Sequence, residues 1–236
     1  FPDMQAISDK PASGSDKIVI GYHGSKTHLH QATALVRALD ALALSHDIEF
    51  WAIYNIENVG KWTRNLPKHC PVRHIQWSDE NMYRYLSKCD IGVAPATIPI
   101  NRPLGLVVTR PLSSLWNNWI HYSPTDNLVR FKIPTSPARL YPFSQLNVPV
   151  VAEFLPSFCQ FIEDGRSGYL VLGENGWYRA LESLILEPKL RTEMSVALKS
   201  RIDDNHSPHL IFERFLHFID SVSQKKIGEP ITRSTL

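Results

Sequence analysis

Short β-branched apolar runs alternate along this chain with longer stretches in which apolar residues recur every three or four positions. Lys17 to Gly21 (KIVIG) and Ile48 to Tyr54 (IEFWAIY) are unbroken enough to be strands covered on both faces. Between them Ala32, Leu35, Val36, Leu39, Leu42 and Ala43 keep the spacing of an amphipathic helix. Strand, glycine-bearing loop, helix and strand make the opening of a right-handed βαβ unit. A third strand is predicted over Pro71 to Trp77 (PVRHIQW). Ser78, Asp79 and Glu80 then supply a cap and an acidic first turn for a helix with Met82, Tyr83, Leu86 and Cys89 on its apolar face. A fourth strand follows at Ile91 to Pro95.

From Thr135 to Leu170 the pattern compresses into a helix, a buried strand, a short helix and a turn. Three helical stripes come after it: Trp177, Ala180, Leu181, Leu184 and Ile185; Leu190, Met194, Ala197 and Leu198; Ile211, Phe212, Phe215, Leu216, Ile219 and Val222. They read as packing faces, not cofactor boxes. Strands alternating with helices argue a doubly wound α/β domain with a parallel sheet, whose ligand site lies beyond the carboxyl ends of the strands.

Two segments at such ends carry groups suited to anions. In the loop GYHGSKTH, Gly21 and Gly24 let backbone approach a ligand closely, and Ser25, Lys26 and Thr27 can donate to phosphate. A plain strand-to-helix turn explains the same residues, because G-x-x-G falls short of the dinucleotide fingerprint. In the second segment Ser136 is a good N-cap and Pro137 suits the first helical position, so a helix start with unpaired N–H groups is expected there. Arg139, one turn in, adds a planar fork able to grip phosphate oxygens. The alternative is that Ser136 and Pro137 only begin a helix whose Arg139 is solvated.

At 236 residues the chain is long enough for one large domain and short for two full Rossmann-like ones. Its 25 Lys and Arg against 23 acidic residues leave no basic run to suggest a nucleic-acid partner. Cys70, Cys89 and Cys159 are widely spaced, without the grouping of a zinc site or a disulfide framework. Reduced thiols put the expectation in the cytoplasm, its membrane face included. No apolar run approaches the ~18 residues of a membrane span. Residues 1–16 have linker composition and are read as the connection from a missing N-terminal domain, residues 17–223 as the domain proper, and residues 224–236 as a flexible tail. Within the domain, residues 97–134 form a long insertion punctuated by prolines, with a helix expected near Ser113 to Ile120 and an aromatic cluster of Trp116, Trp119 and Tyr122.

The order SPARLYPFSQLNVPVV, FIEDGRSGYLV and then ENGWYRALESLILEPKLRTEMSVALKSRI resembles the C-terminal, donor-binding domain of GT-B glycosyltransferases of the retaining, family 4-like (group 1) type. The resemblant steps are Val148-Pro149-Val150-Val151, Glu163-Asp164-Gly165-Arg166-Ser167-Gly168 and Glu187-Pro188-Lys189-Leu190-Arg191. The resemblance implies a Rossmann-like sheet that is one half of a GT-B fold. It implies a nucleotide-sugar donor site, glycosyl transfer in carbohydrate biosynthesis, no metal, and no cofactor besides the donor itself. It places Gly21, His23, Gly24, Ser25, Ser136, Ala138 and Arg139 near the diphosphate or sugar and Gln76 and Trp77 beside the base, with catalytic groups contributed by the N-terminal domain. Two departures stand out. The family's acidic residue seven positions before the Pro of Pro-Val-Val, which takes the ribose hydroxyls, is Pro142 here, and the usual glycine two before that Pro is Asn147. A proline at position 142 removes a helical hydrogen bond to Ala138 at a cost on the order of 3 kcal/mol unless the first turn is irregular. These departures keep open a non-catalytic module that binds a nucleotide or a protein partner; a nucleotide-sugar epimerase of the same fold is a third reading.

Overall fold

The computed structural model describes residues 17–96 and 136–225. The linker at residues 1–16, the insertion at 97–134 with its expected helix and aromatic cluster, and the tail from residue 226 lie outside the described residues.

Six parallel strands form one sheet: β1 (Ile18–His23), β2 (Ile48–Tyr54), β3 (Val72–Gln76), β4 (Ile91–Ala94), β5 (Val150–Glu153) and β6 (Tyr169–Val171), in the order β3-β2-β1-β4-β5-β6. The chain works outward from β1 to β3, returns to the centre, and works outward the other way from β4 to β6. The winding therefore reverses between β1 and β4, where a doubly wound sheet opens a crevice at the strand carboxyl ends. The helices are α1 (Lys26–Gln31), α2 (Thr33–Leu42), α3 (Ile56–Val59), α4 (Asp79–Leu86), α5 (Leu140–Gln145), α6 (Pro156–Cys159), α7 (Gly173–Leu186), α8 (Pro188–His206) and α9 (Pro208–Lys225). The expected strands stand within two residues of their predicted bounds. β1, however, runs on to His23 and α1 follows at once, so the expected loop shrinks to Gly24 and Ser25. The last helix continues to Lys225, two residues past the expected end of the domain at residue 223.

Strand alternation divides the interior into two cores. Ile20 and Tyr22 of β1 pack with Leu35 and Leu39 of α2 and Trp177 and Leu181 of α7; Val19 packs with Leu86 of α4, Phe143 of α5 and Leu198 of α8. On the second face two glycines lie side by side, Gly21 of β1 in register with Gly92 of β4. A Cβ on Gly21 would collide with the Cys89 sulfur, and one on Gly92 would sit 2.5 Å from the Phe143 ring. Side chains from the α4 and α5 segments thus rest directly on sheet backbone at the reversal. Gly21, expected in the loop after the first strand, lies within β1 with the Cys89 side chain against it.

The two departures at Pro142 and Asn147 have local explanations. Residues Pro137–Arg139 form a 3-10 turn ahead of α5, in which the Leu140 N–H donates to the Pro137 carbonyl. Pro142 then falls in the first turn of α5, where no intrahelical donor is required of it. Asn147 has φ 53°, the left-handed conformation that ends a helix and that Asn, after Gly, adopts most readily. The other family-like steps are also folding devices. Pro188 opens α8, and Arg191 reaches back to donate to the carbonyls of Leu184 (2.6 Å) and Ile185 (3.1 Å), capping α7. In the turn before β6, Asp164 accepts from the Leu170 N–H (2.8 Å) and Ser167 Oγ from the Glu163 N–H (2.8 Å).

The third helical stripe is exposed: Ile211, Phe212, Phe215, Leu216, Phe218, Ile219 and Val222 of α9 all lie open. Among the described residues no helix is long and apolar enough to cross a membrane.

The glycine pair yields a test. Gly92→Ala drives a methyl into the Phe143 ring and is expected to lower stability by about 1–3 kcal/mol, measured by urea denaturation, whereas Gly165→Ala, whose Cβ would meet nothing within 4 Å, should lose only what its positive φ demands.

Candidate functional site

Four segments meet beyond the carboxyl ends of β1, β4 and β5: His23 and Gly24 after β1, Pro95 and Ala96 after β4, Glu153 at the end of β5, and the 3-10 turn that carries Arg139. Arg139 is the centre of the group. Its Nη1 donates to the Pro95 carbonyl at 2.7 Å, and its guanidinium carbon lies 5.6 Å from the Phe158 ring centre. Among the described residues its Nη2 is buried and meets no acceptor in hydrogen-bond geometry, while the Tyr22 hydroxyl stands close enough to act on the guanidinium. Burial presses its pKa down, and the neighbouring Tyr22 and Glu153 push it back up; a guanidinium so placed stays charged. An unpaired N–H of a charged, buried fork is costly, and an acceptor arriving there relieves the cost.

The backbone of the same residue is held from β1. His23 Nε2 lies 2.9 Å from the Arg139 carbonyl, which assigns the ring proton to Nε2. The ring is buried, tilted against Phe143 at 5.1 Å. Burial pulls its pKa down to about 4, so His23 is neutral at pH 7. Tyr22 donates its hydroxyl to the Ser25 carbonyl at 2.7 Å, and burial raises its pKa. Between these groups sits Gly24, with φ 142°, where a Cβ would lie 2.8 Å from the Tyr22 oxygen and 3.3 Å from Arg139 Cδ. Glycine is required at this position on both counts.

The structure brings His23, Gly24, Ser25, Ser136, Ala138 and Arg139 together around the reversal, and the remaining expected residues elsewhere. Ser136 Oγ accepts from the Ala138 N–H at 3.2 Å, so both belong to the turn that presents Arg139. Ser25 caps α1, accepting from the Thr27 N–H at 3.3 Å. Lys26 turns away, donating to the Val59 and Gly60 carbonyls at the end of α3. Gln76 and Trp77 lie two strands off, at the end of β3. The Gln76 amide is already engaged, its Oε1 accepting from the N–H groups of Ile56 (2.8 Å) and Glu57 (3.0 Å). Trp77 is 41% exposed and so stands clear of the core. Sequence reasoning missed Tyr22, Phe158 and Glu153. Glu153 had one available signal, an acidic residue closing an otherwise apolar strand. Among the described residues no three potential metal-ligating side chains converge.

The burial of His23 makes stability depend on pH. In the unfolded chain the ring takes up a proton as pH falls through about 6.5, while the folded protein resists until about 4. Stability is therefore expected to be intact above pH 6.5 and to decline between 6.5 and 4, by on the order of 3 kcal/mol from this residue. Urea denaturation across that range should show a steeper decline for the parent than for His23→Gln, which keeps a donor for the Arg139 carbonyl but does not titrate.

No protein-family model and no curated protein matches the sequence. Solved structures do. A TarM mutant from S. aureus, in complex with Fondaparinux, alpha-GlcNAc-glycerol and UDP, is similar with TM-score 0.59 and 14% identity over 89% of this chain and 37% of TarM. HepE from Anabaena, in complex with UDP and glucose, is similar with TM-score 0.58 and 10% identity over 87% of this chain and 49% of HepE. The chain thus spans between a third and a half of the length of these two proteins. The C-terminal domain of a group 1 glycosyl transferase (LpcC) from Francisella tularensis, by contrast, is covered over 95% of its length by 88% of this chain, with TM-score 0.50 and 14% identity. The strand order, the reversal between β1 and β4 and these three likenesses agree: the chain has the fold of the C-terminal domain of a group 1, GT-B glycosyltransferase.

Proposed function

We propose that this chain is the donor-binding part of a glycosyltransferase, holding the diphosphate of a nucleotide-sugar in the crevice between β1 and β4 while a second domain brings the acceptor. The observation that carries the reading is the buried Nη2 of Arg139 at the winding reversal, which meets no acceptor in hydrogen-bond geometry among the described residues. A phosphate oxygen is the acceptor that such a fork suits best, in a charge-assisted bond. Gly24 gives the ligand close access to backbone, and His23 and Ser25 on one side and Ser136 and Ala138 on the other would flank the diphosphate. The open Trp77 ring offers a face to the base, with Gln76 holding that strand end in place. The UDP in the TarM and HepE complexes supports a uridine or similar diphosphate as donor carrier.

The chemistry expected of these residues is electrostatic. As the bond between the sugar's anomeric carbon and the diphosphate oxygen breaks, negative charge grows on the leaving diphosphate. A fixed guanidinium already stripped of water stabilises that charge better than it stabilises the intact donor. Neutral His23 contributes by fixing the Arg139 backbone, not by proton transfer. A second reading, a module that binds nucleotide without transfer, draws on buried Pro142, which stands where the family has its ribose-binding carboxylate. The reaction would take place in the cytoplasm, in carbohydrate biosynthesis.

Titration calorimetry with a panel of nucleoside diphosphates is expected to show binding, and Arg139→Ala to weaken it by about 10- to 150-fold, the equivalent of 1.5–3 kcal/mol, with nucleoside affinity unchanged. No heat and no thermal shift with any diphosphate at millimolar concentration would overturn the donor-site reading. In transfer assays with mixed sugar nucleotides and a cell-envelope extract, the 236-residue chain alone is expected to form no product, since positioning of both substrates between two domains is a large share of the rate. Turnover by the chain alone would refute the division of labour.

A further inference from the structure

The carbonyl that receives Arg139 Nη1 and the N–H that follows it are two ends of one peptide unit, Pro95–Ala96. Arg139 donates to the carbonyl at 2.7 Å, and Glu153 Oε2 accepts from the Ala96 N–H at 2.8 Å. Both residues of the unit are buried, so each polar group needs a protein partner. The unit is therefore held from opposite sides by a cation and an anion. Each bond polarises the amide in the direction that strengthens the other. Glu153 also lies close enough to act on the guanidinium through space.

From this arrangement we infer that Glu153 is a positioning residue for the anion site: its carboxylate fixes the Pro95–Ala96 peptide, the peptide fixes Nη1 of Arg139, and Nη2 is thereby presented to the ligand. The inference rests on the donor-site reading above and assigns a role to a residue that touches no ligand. It has a second edge. A carboxylate beside a diphosphate site opposes the ligand's charge, so Glu153 holds the geometry at some expense of affinity. Glutamine separates the two effects. Its amide oxygen can accept from the Ala96 N–H, and it carries no charge.

The experiment is calorimetric titration of the 236-residue chain with UDP and with uridine, for the parent, Glu153→Ala and Glu153→Gln, at a temperature where melting curves show each folded. Glu153→Ala is expected to weaken UDP binding by about tenfold or more and to leave uridine unchanged. Glu153→Gln is expected to bind UDP at least as tightly as the parent. A purely structural role would lower melting temperature without this split between UDP and uridine and without rescue by glutamine. Should Glu153→Ala not fold, the glutamine variant alone decides, since a loss of UDP affinity there overturns the inference. It is overturned equally if Glu153→Ala binds UDP like the parent, or loses UDP and uridine alike. If the parent binds no nucleoside diphosphate while Arg139→Ala is equally silent, the donor-site reading falls and this inference with it; a binding parent with an unresponsive Glu153→Ala sinks only the inference.

Discussion

Keeping one guanidinium charged and half-paired at the point where the sheet reverses direction is the constraint on which the rest of this structure turns. Arg139 is held by its side chain from the β4 exit, by its backbone carbonyl from His23 at the end of β1, and by the 3-10 turn that delivers it. Desolvating a charge is expensive unless hydrogen bonds and nearby dipoles compensate. Here the compensation comes from Pro95, Tyr22, Glu153 and the Phe158 face, and is left incomplete at one nitrogen. That unfinished nitrogen is what the proposed diphosphate site rests on.

Most of the fold was legible in the residues because its signals are local. Unbroken β-branched runs such as IEFWAIY have few alternatives to a buried strand, and Ser78 with Asp79 marks a helix start by direct hydrogen bonding, as its cap to Asn81 shows. The Glu-Pro-x-x-Arg step was recognised as a family feature before its physical content was visible. Only the structure shows that Arg191 caps the preceding helix.

The site was legible in part. Ser136, Ala138 and Arg139 lie within one turn, so the helix start read at Ser136 and Pro137 and the resemblance point to the same short segment. Glu153, Tyr22 and the Pro95 carbonyl join them only through the strand order, which no local pattern encodes. Gly21 misled for the opposite reason: a glycine after a strand suggests ligand access, yet the strand continues two residues further and the glycine's open face belongs to Cys89. Asn147 and Pro142 looked like two defects. The first is a left-handed helix end that asparagine tolerates, while the second exploits an irregular first turn.

The paired glycines at the reversal have a consequence for how this protein can change over time. Gly21 and Gly92 sit in register, and each owes its emptiness to a different intruder, Cys89 for one and Phe143 for the other. Phe143 in turn braces His23, which holds Arg139. Genetic drift at any of these positions is therefore tied to the others. A methyl gained at Gly92 requires a smaller ring at position 143, a smaller ring frees the imidazole, and the turn that carries Arg139 loosens three steps from the original substitution. The second core on this face is thereby coupled to the turn that carries Arg139, and Tyr22 couples the opposite face to the same turn.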